Sequence, residues 1–422
     1  MNEELMLAYS DNEGNVFDFP GLAPAFRSGK QFVQVEKEDL IKLPKGSYLF
    51  SLPGRFPVFF NIKNHDFNHI TVDYDGNDVL AVSSFLASGY LRTYLPAYIA
   101  AIDAQLLTLW AYAGVVIIDG EFYVPAMRID EDPRSDFVLH QDNKALKKAV
   151  KEISDLYTDN RLVKQLSVCS TEYNCFCARN FFLSRYEAPI PTTPVCNARC
   201  IGCLSLQETS SISSCQTRLS FKPTPEEISQ VILHHFTKVE KSIASFGQGC
   251  EGEPILRGED LAEAIEIVRN QTDKGTININ TNGSMPENVS RMMHAGLDSI
   301  RVSLNSPTEE YYMAYHQPHN YTYADVIESI KRAIDGGIFV SINLFFLPGF
   351  TDMESEVDAL FTFLHKYKVN MIQTRNLNID PDHYLNSIDC KESKHLGVEN
   401  MIEMIKNEFP QIKIGYYNPS LK

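Results

Sequence analysis

From about residue 189 onward the sequence alternates short apolar runs with amphipathic stretches, and no other feature narrows its possible folds so far. The runs at 189–194, 242–247, 276–280, 299–304, 338–346 and 369–374 read as strands. The helices between them have marked starts. In "PTPEEISQVILHH", Thr224 supplies a cap, Pro225 suits the first helical position and Glu227 completes a capping box. Thr322 with Asp325, and Thr351 with Glu354, repeat that signal in acidic form, and Gly336-Gly337 ends the helix that Thr322 begins. Six strand–helix repeats predict a parallel sheet, which right-handed crossovers wind into a doubly wound sheet or a barrel. In either case ligands bind at the C-terminal strand ends. The polar and glycine-rich clusters fall there: "CNARCIGC", "GQGCEGEP", "NTNG", "SLNS", "LPGFTD" and "QTRNLNIDP" each follow one of the six runs.

At 422 residues the chain has room for more than this array. The expected division is an α+β N-terminal domain over 1–155, a cysteine-containing linker over 156–188, the repeat array over 189–385 and a C-terminal helix and strand over 386–422. Within the first part, "KGSYLFSLPGRFPVFFNI" and "HITVDYDGN" read as strands and turns, and 83–110 as a largely buried helix pair. Asp119-Gly120, between two β-rich runs, supplies the positive φ angles of a tight hairpin turn. The apolar stretch 94–118 is interrupted by Pro96, Asp103 and Gln105, so no membrane span is expected. The acidic start "MNEELMLAYSDNEG" lacks the features of a signal peptide, and the expected location is the cytoplasm. With 38 Lys+Arg against 54 Asp+Glu, the net charge of −16 offers no general attraction to nucleic-acid phosphates or anionic lipid.

The nine cysteines are unevenly placed: eight lie between Cys169 and Cys250, and Cys390 follows alone. In a chain without an export signal this distribution favours metal or redox chemistry over a disulfide framework. Cys196, Cys200 and Cys203 form a C-x3-C-x2-C loop. Three thiolates suit three corners of a 4Fe-4S cube, leaving one iron open. Zinc, with a fourth ligand from Cys215 or Cys177, and unliganded thiols are the alternatives that spacing leaves standing.

With this loop on the first strand of a six-repeat array, the sequence resembles the radical S-adenosylmethionine (radical SAM) enzymes over roughly residues 189–381. Cys196, Cys200 and Cys203 match that family's cluster motif, and Gly252-Glu253-Pro254 matches the end of its G-G-E-P motif, with Glu251 at a glycine position. The resemblance implies a partial (β/α)6 TIM-like barrel, a fold class of α/β preceded by the α+β domain. It also implies an oxygen-sensitive 4Fe-4S cluster, whose open iron binds the methionyl end of S-adenosylmethionine. Reductive cleavage of that molecule yields a 5′-deoxyadenosyl radical that takes a hydrogen atom from a substrate. It further implies Glu253 beside the methionyl amino group, Asn282, Ser303 and Asn305 near the ribose or carboxylate, and Asn343, Pro348, Gly349 and Arg375 on the adenine side.

Each of these has a plainer reading: a turn at Asn282-Gly283, backbone bonding by Ser303 and Asn305, a strand exit at Pro348-Gly349, an ion pair of Arg375 with Asp380 or Glu253, and a helix cap at Glu253. Two departures from the family pattern stand out. Gly202 replaces the aromatic that many relatives carry before the third cysteine, which leaves the adenine contact to another side chain. Cys250 sits inside the second-strand loop, as a candidate hydrogen donor or cluster ligand or as an incidental buried thiol.

Cys169, Cys175, Cys177 and Cys215 form a possible auxiliary site, for a second 4Fe-4S cluster or a zinc ion, or no shared site at all. The tail holds only Cys390, unlike the cysteine-rich tails of many peptide-modifying relatives, and no D-x-H-x-x-G cobalamin pattern occurs in the N-terminal part. The expected partners are a low-potential electron donor such as flavodoxin or ferredoxin and a small-molecule or peptide substrate. The alternatives kept open are a peptide or protein modifier and a non-catalytic, metal-stabilised interaction protein.

Overall fold

The computed structural model describes residues 5–136, 138, 141–207 and 212–422; the first four residues of the acidic N-terminal stretch lie outside them. Seven parallel strands lie side by side in chain order: Glu187–Ile190, Ile243–Phe246, Thr276–Thr281, Ser299–Leu304, Phe339–Phe346, Met371–Asn376 and Lys413–Gly415. The first six are the expected ones. The seventh, from the C-terminal tail, extends the partial barrel by one strand, after a helix at Val398–Glu408.

Strand alternation divides this barrel into an apolar outside and a polar inside. Ile277, Ile279, Ile300, Val302, Ile342, Leu344, Phe346 and Ile372 join the buried core shared with the surrounding helices. The alternate residues are polar and bond to one another across the sheet. Asn278 donates to the Ser245 hydroxyl at 3.1 Å, Ser299 donates to Asn278 at 2.8 Å, and Arg301 donates to Gln373 at 2.8 Å. A parallel strand covered on its outer face by helices is ordinarily apolar on both faces. The polar inner face here lines a cavity.

The helices begin where their caps direct. Thr224 accepts from the Glu227 amide while Glu227 accepts from the Thr224 amide, and the helix runs Pro225–Lys238. Thr322 and Asp325 form the same box before Tyr323–Asp335, which ends at Gly336 with Gly337 at φ 74°. Thr351 differs. The helix starts later, at Glu354 with Met353 as cap, because the Thr351 hydroxyl is engaged in the preceding turn with the Leu347 amide and the Phe345 carbonyl.

Among the described residues three α-helices precede the first barrel strand: α1 (Asn143–Leu156), α2 (Arg161–Thr171) and α3 (Phe176–Phe182). Leu162, Val163, Leu166, Phe181 and Phe182 join the barrel core. Up to residue 136 the described chain is built of short antiparallel strands. The Asp119-Gly120 turn forms as expected, with φ of 49° and 77° between Val116–Ile118 and Glu121–Arg128. The helix pair expected at 83–110 is absent. That stretch instead contributes strands Leu80–Phe85, Tyr90–Arg92, Leu95–Pro96 and Tyr98–Ala100. Gly89 at φ 87° breaks any helix, and Pro96 lies in a strand paired with Phe26–Ser28. A run buried on both sides shows no period that separates strand from helix.

This β-rich part sits on the C-terminal strand ends through buried charges. Arg92, fully buried, donates to the Phe346 and Leu377 carbonyls at 3.3 and 2.9 Å. Arg55 pairs with Asp380 at 3.0 Å, and Arg27 with Asp382 at 2.9 Å. Among the described residues no helix is long and apolar enough to cross a membrane.

Candidate functional site

A cavity of about 520 Å³ opens among the C-terminal strand ends. Cys196, Cys200 and Cys203 line it together with Gly252, Glu253, Pro254, Asn282, Ser303, Asn343 and Arg375. Phe85, Leu86, Ser88 and Ala111 of the N-terminal part line it as well. These residues come from six successive strands or the loops that follow them and from one covering module, gathered as parallel topology requires.

The cysteine loop is shaped by backbone contacts to Tyr315–His319. Arg199 and Ile201 donate amides to the His316 and Tyr315 carbonyls at 3.1 Å each, and His319 returns one to Asn197 at 2.8 Å. Burial pushes the Cys196 thiol up to about 11, with Glu253 adding to the effect. Burial likewise holds Cys200 well above the ordinary thiol range, with Cys196 and Cys203 adding to it. A cation offsets such a cost, and binding of a metal releases the thiol protons. Two side chains without a sequence signal attend the loop. The Arg218 guanidinium reaches the Cys203 sulfur at 3.5 Å, the Ser205 hydroxyl at 3.0 Å and the Pro194 carbonyl at 3.2 Å. His316, fully enclosed and pushed down to about 3 by burial, places Nδ1 3.4 Å from the Cys200 sulfur.

The second loop is held by two carboxylates with separate duties. Glu251, standing at the glycine position, accepts from the amides of Thr192, Thr193, Gly247 and Gln248 and from the Thr192 hydroxyl. It ties the first strand's exit to the second's. Glu253 accepts from the Thr281 hydroxyl at 2.6 Å and the amides of Ile255 and Asn282 at 3.0 and 2.8 Å. It therefore caps the short turn after it and also faces the cavity. Burial raises both carboxyls to about 7. Gly252 has no room for a side chain, since a Cβ would fall 2.0 Å from the Val195 carbonyl oxygen.

The remaining predicted residues divide. Asn282 donates to Asn197 at 2.9 Å and turns with Gly283 at φ 71°, still bordering the cavity. Asn343 lines the cavity, its buried amide oxygen without a partner among the described residues. Arg375 stacks on Tyr416 at 3.7 Å and makes no ion pair with Asp380, whose partner is Arg55. Three residues face elsewhere. Asn305 is buried, donating to the Tyr311 carbonyl and the Tyr384 hydroxyl. The Pro348 carbonyl accepts from the Gly29 amide at 2.9 Å, and Gly349 packs directly on Ser28-Gly29, so that turn seats the N-terminal part instead of lining the cavity. At Gly202 an added Cβ would meet the Tyr315 hydroxyl at 2.8 Å; an aromatic side chain from a neighbouring helix occupies that side of the cavity.

The other cysteines are rearranged relative to expectation. Cys215 is turned to the N-terminal part, its thiol donating to the Leu109 carbonyl at 3.5 Å. The thiol that meets Cys169 is that of Cys250.

A profile of the Radical SAM superfamily matches residues 190–362. Among curated proteins, the chain is 28% identical over 223 residues to the probable GTP 3′,8-cyclase of Methanosarcina acetivorans, covering 51% of this chain and 62% of that one. It is 32% identical over 154 residues to the probable GTP 3′,8-cyclase of Methanocaldococcus jannaschii, covering 33% and 48%. A solved structure, the FeFe-hydrogenase maturase HydG from Carboxydothermus hydrogenoformans, aligns with a TM-score of 0.39 at 16% identity, over 66% of this chain and 69% of that chain. The chain thus spans less than two thirds of the length of these curated relatives. The segment matched to the Radical SAM superfamily begins at the first barrel strand, contains the cysteine loop and reaches into the helix after the fifth strand.

Proposed function

We propose that the protein is a radical SAM enzyme acting on a small substrate enclosed between the barrel and the N-terminal module. In this reading Cys196, Cys200 and Cys203 hold a 4Fe-4S cluster, and Arg218 and His316 steady two of the sulfurs. The donor set fits: three thiols from one loop face one cavity, with an amide oxygen at Asn343 that has no partner among the described residues. Glu253 receives the methionyl amino group of S-adenosylmethionine, and Tyr315 supplies the aromatic surface that Gly202 lacks. When bound, the cluster supplies the electron that cleaves S-adenosylmethionine and so generates the hydrogen-abstracting radical. The chain's own residues bind, orient and exclude water. Arg301 and Arg375 give the wall beside Tyr416 a positive charge suited to an anionic group on the substrate.

The observation that carries this reading is the convergence of the three motif thiols and Glu253 on one cavity roofed by Phe85, Leu86 and Ala111. The roof favours a small molecule over a folded protein as substrate. A flavodoxin or ferredoxin is the electron donor proposed, in the cytoplasm. The test is 5′-deoxyadenosine release from S-adenosylmethionine and dithionite by anaerobically reconstituted protein, beside Cys200→Ala. Release that the variant loses supports the reading. Equal release from the variant, or no release from a wild type holding iron and sulfide, would leave a non-catalytic metal-stabilised protein.

A further inference from the structure

Two cations on the inner wall of the cavity have no anion of their own. Arg301, in the fourth strand, donates from Nη1 to the Gln373 side chain at 2.8 Å, and its buried Nε has no partner among the described residues. Gln373 and Arg375 are alternate residues of the sixth strand, so their side chains share its inner face about 7 Å apart, which makes the two guanidiniums neighbours. Arg375 lies with its guanidinium 3.7 Å over the Tyr416 ring. Among the described residues that guanidinium makes no hydrogen bond and no ion pair, and its Nε is buried. Burial brings Arg301 down to about 9, with Arg375 adding to the effect. Glu187, which lines the same cavity, is already engaged by Asn418 at 2.8 Å and by Arg134 at 3.8 Å. Asn418 also accepts from Gln373 at 2.7 Å, so the tail closes this wall from the seventh strand to the first. Of Glu187, Arg301, Arg375, Tyr416 and Asn418, only Arg301 lies within the segment matched to the superfamily, 190–362.

We propose that Arg301 and Arg375 form an oxyanion subsite that takes the carboxylate or phosphate group of the substrate. A buried cation is costly unless it is paired and hydrogen-bonded, and here two of them share one wall. A single oxyanion seated between them offsets their mutual repulsion and accepts N–H donors that no protein group now uses. The stack on Tyr416 prepares Arg375 for that task. Stacking occupies the flat face of the guanidinium and leaves its N–H bonds free in the plane, the fork that matches a carboxylate or phosphate edge. Arg301 is held in turn by Gln373, whose own amide is fixed by Asn418. Because Cys196, Cys200 and Cys203 line the same cavity, an anion anchored on this wall keeps the rest of the molecule in the space that the cysteine loop borders. The inference rests on the proposed function in giving the anion to the substrate; the subsite itself requires no cleavage of S-adenosylmethionine.

The probes are acetate and methylphosphonate, each followed through its methyl protons by saturation-transfer NMR on the anaerobically reconstituted full chain at fixed ionic strength. One or both should bind; acetate alone points to a carboxylate substrate and methylphosphonate alone to a phosphate. Arg301→Gln and Arg375→Gln should each raise the dissociation constant about tenfold or more. Lys331→Gln, on an exposed helix face outside the barrel, should leave it unchanged. Arg375→Lys keeps the charge without the fork and should fall between wild type and Arg375→Gln, and it decides the matter if circular dichroism shows that a Gln variant has lost its fold. Saturating S-adenosylmethionine should leave the probe in place. Binding of neither probe, binding retained when both arginines are changed to Gln, or displacement by S-adenosylmethionine, which would give the arginines to the cofactor's own carboxylate, would overturn the assignment. Release of 5′-deoxyadenosine is read separately: a wild type that binds the probe without releasing it keeps the subsite and loses the radical reading, and release without probe binding does the reverse.

Discussion

Asp380→Asn should loosen the N-terminal module far more than Arg55→Met, although the two residues form one ion pair. Both side chains are almost wholly buried, at 5% and 2% exposed. Their remaining partners differ. Asp380 accepts from Arg55 and also from the amides of Leu107, Asp382 and His383, so after Arg55→Met its charge keeps three N–H donors. The loss is then one charge-assisted bond, about 1.5–3 kcal/mol. Among the described residues Arg55 has, besides Asp380, the Pro53 and Gln105 carbonyls and the face of the Tyr98 ring at 5.7 Å, none of them an anion. Asparagine at 380 leaves that cation buried without an anion and turns an NH2 group toward donors, a cost of about 3–5 kcal/mol. Hydrogen exchange of peptides covering 105–109 and 380–388 reads the opening directly. At about 1.4 kcal/mol per tenfold, Asp380→Asn should accelerate exchange there by two to three orders of magnitude, and Arg55→Met by about one to two. Equal acceleration, or the reverse order, would refute the claim that the amides around Asp380 sustain its charge.

Two further outcomes are expected. Gly252→Ala should abolish iron retention by the motif cysteines, because its Cβ would displace Val195, the residue before Cys196, while the helices of the barrel keep their circular dichroism signal. His235 is fully buried, its Nε2 3.1 Å from the Tyr186 carbonyl, and burial lowers it from 6.5 to about 4. The unfolded chain then binds the proton first as pH falls, so stability due to this residue is complete above pH 6.5 and is lost between 6.5 and 4. The window corresponds to about 3 kcal/mol, and His235→Gln should flatten the urea-midpoint slope across it; an unchanged slope would show that His235 charges freely in the folded state.

The barrel was legible because its local signals agree with its topology. Caps at Thr224 and Thr322, the stop at Gly336-Gly337 and six apolar runs all describe the same repeat, and the strand-end clusters follow from parallel connection. Thr351 shows the limit of that logic. A capping box is a competition for hydroxyl partners, and there the strand exit at Phe345 and Leu347 wins. The N-terminal part was less legible for a different reason. Its fixing contacts, such as Arg55 with Asp380 and Arg92 with Leu377, join residues far apart in sequence, and its apolar run is mostly buried on both faces over 83–98, so it lacks a period there.

The site divides along the same physical line. Residues fixed by a short loop, such as Cys196, Cys200, Cys203 and Glu253, could be named from spacing, whereas Asn305 and the Pro348-Gly349 turn depend on which way a strand exit faces. One strong signal did lie in the sequence. "TININTN" and "SIRVSLN" alternate polar and apolar residues at period two, and a strand buried by helices outside has no water to meet on its inner face. Alternation of that kind in a parallel array requires a polar interior, and a polar interior requires bonded partners or a ligand. Asn278, Ser299 and Gln373 find partners across the sheet, whereas among the described residues Asn343 keeps an unpartnered amide oxygen and Arg301 and Arg375 each an unpartnered Nε. Those unmatched groups line the cavity that the cysteine loop also lines, where water or a bound polar molecule completes the barrel's own hydrogen bonding.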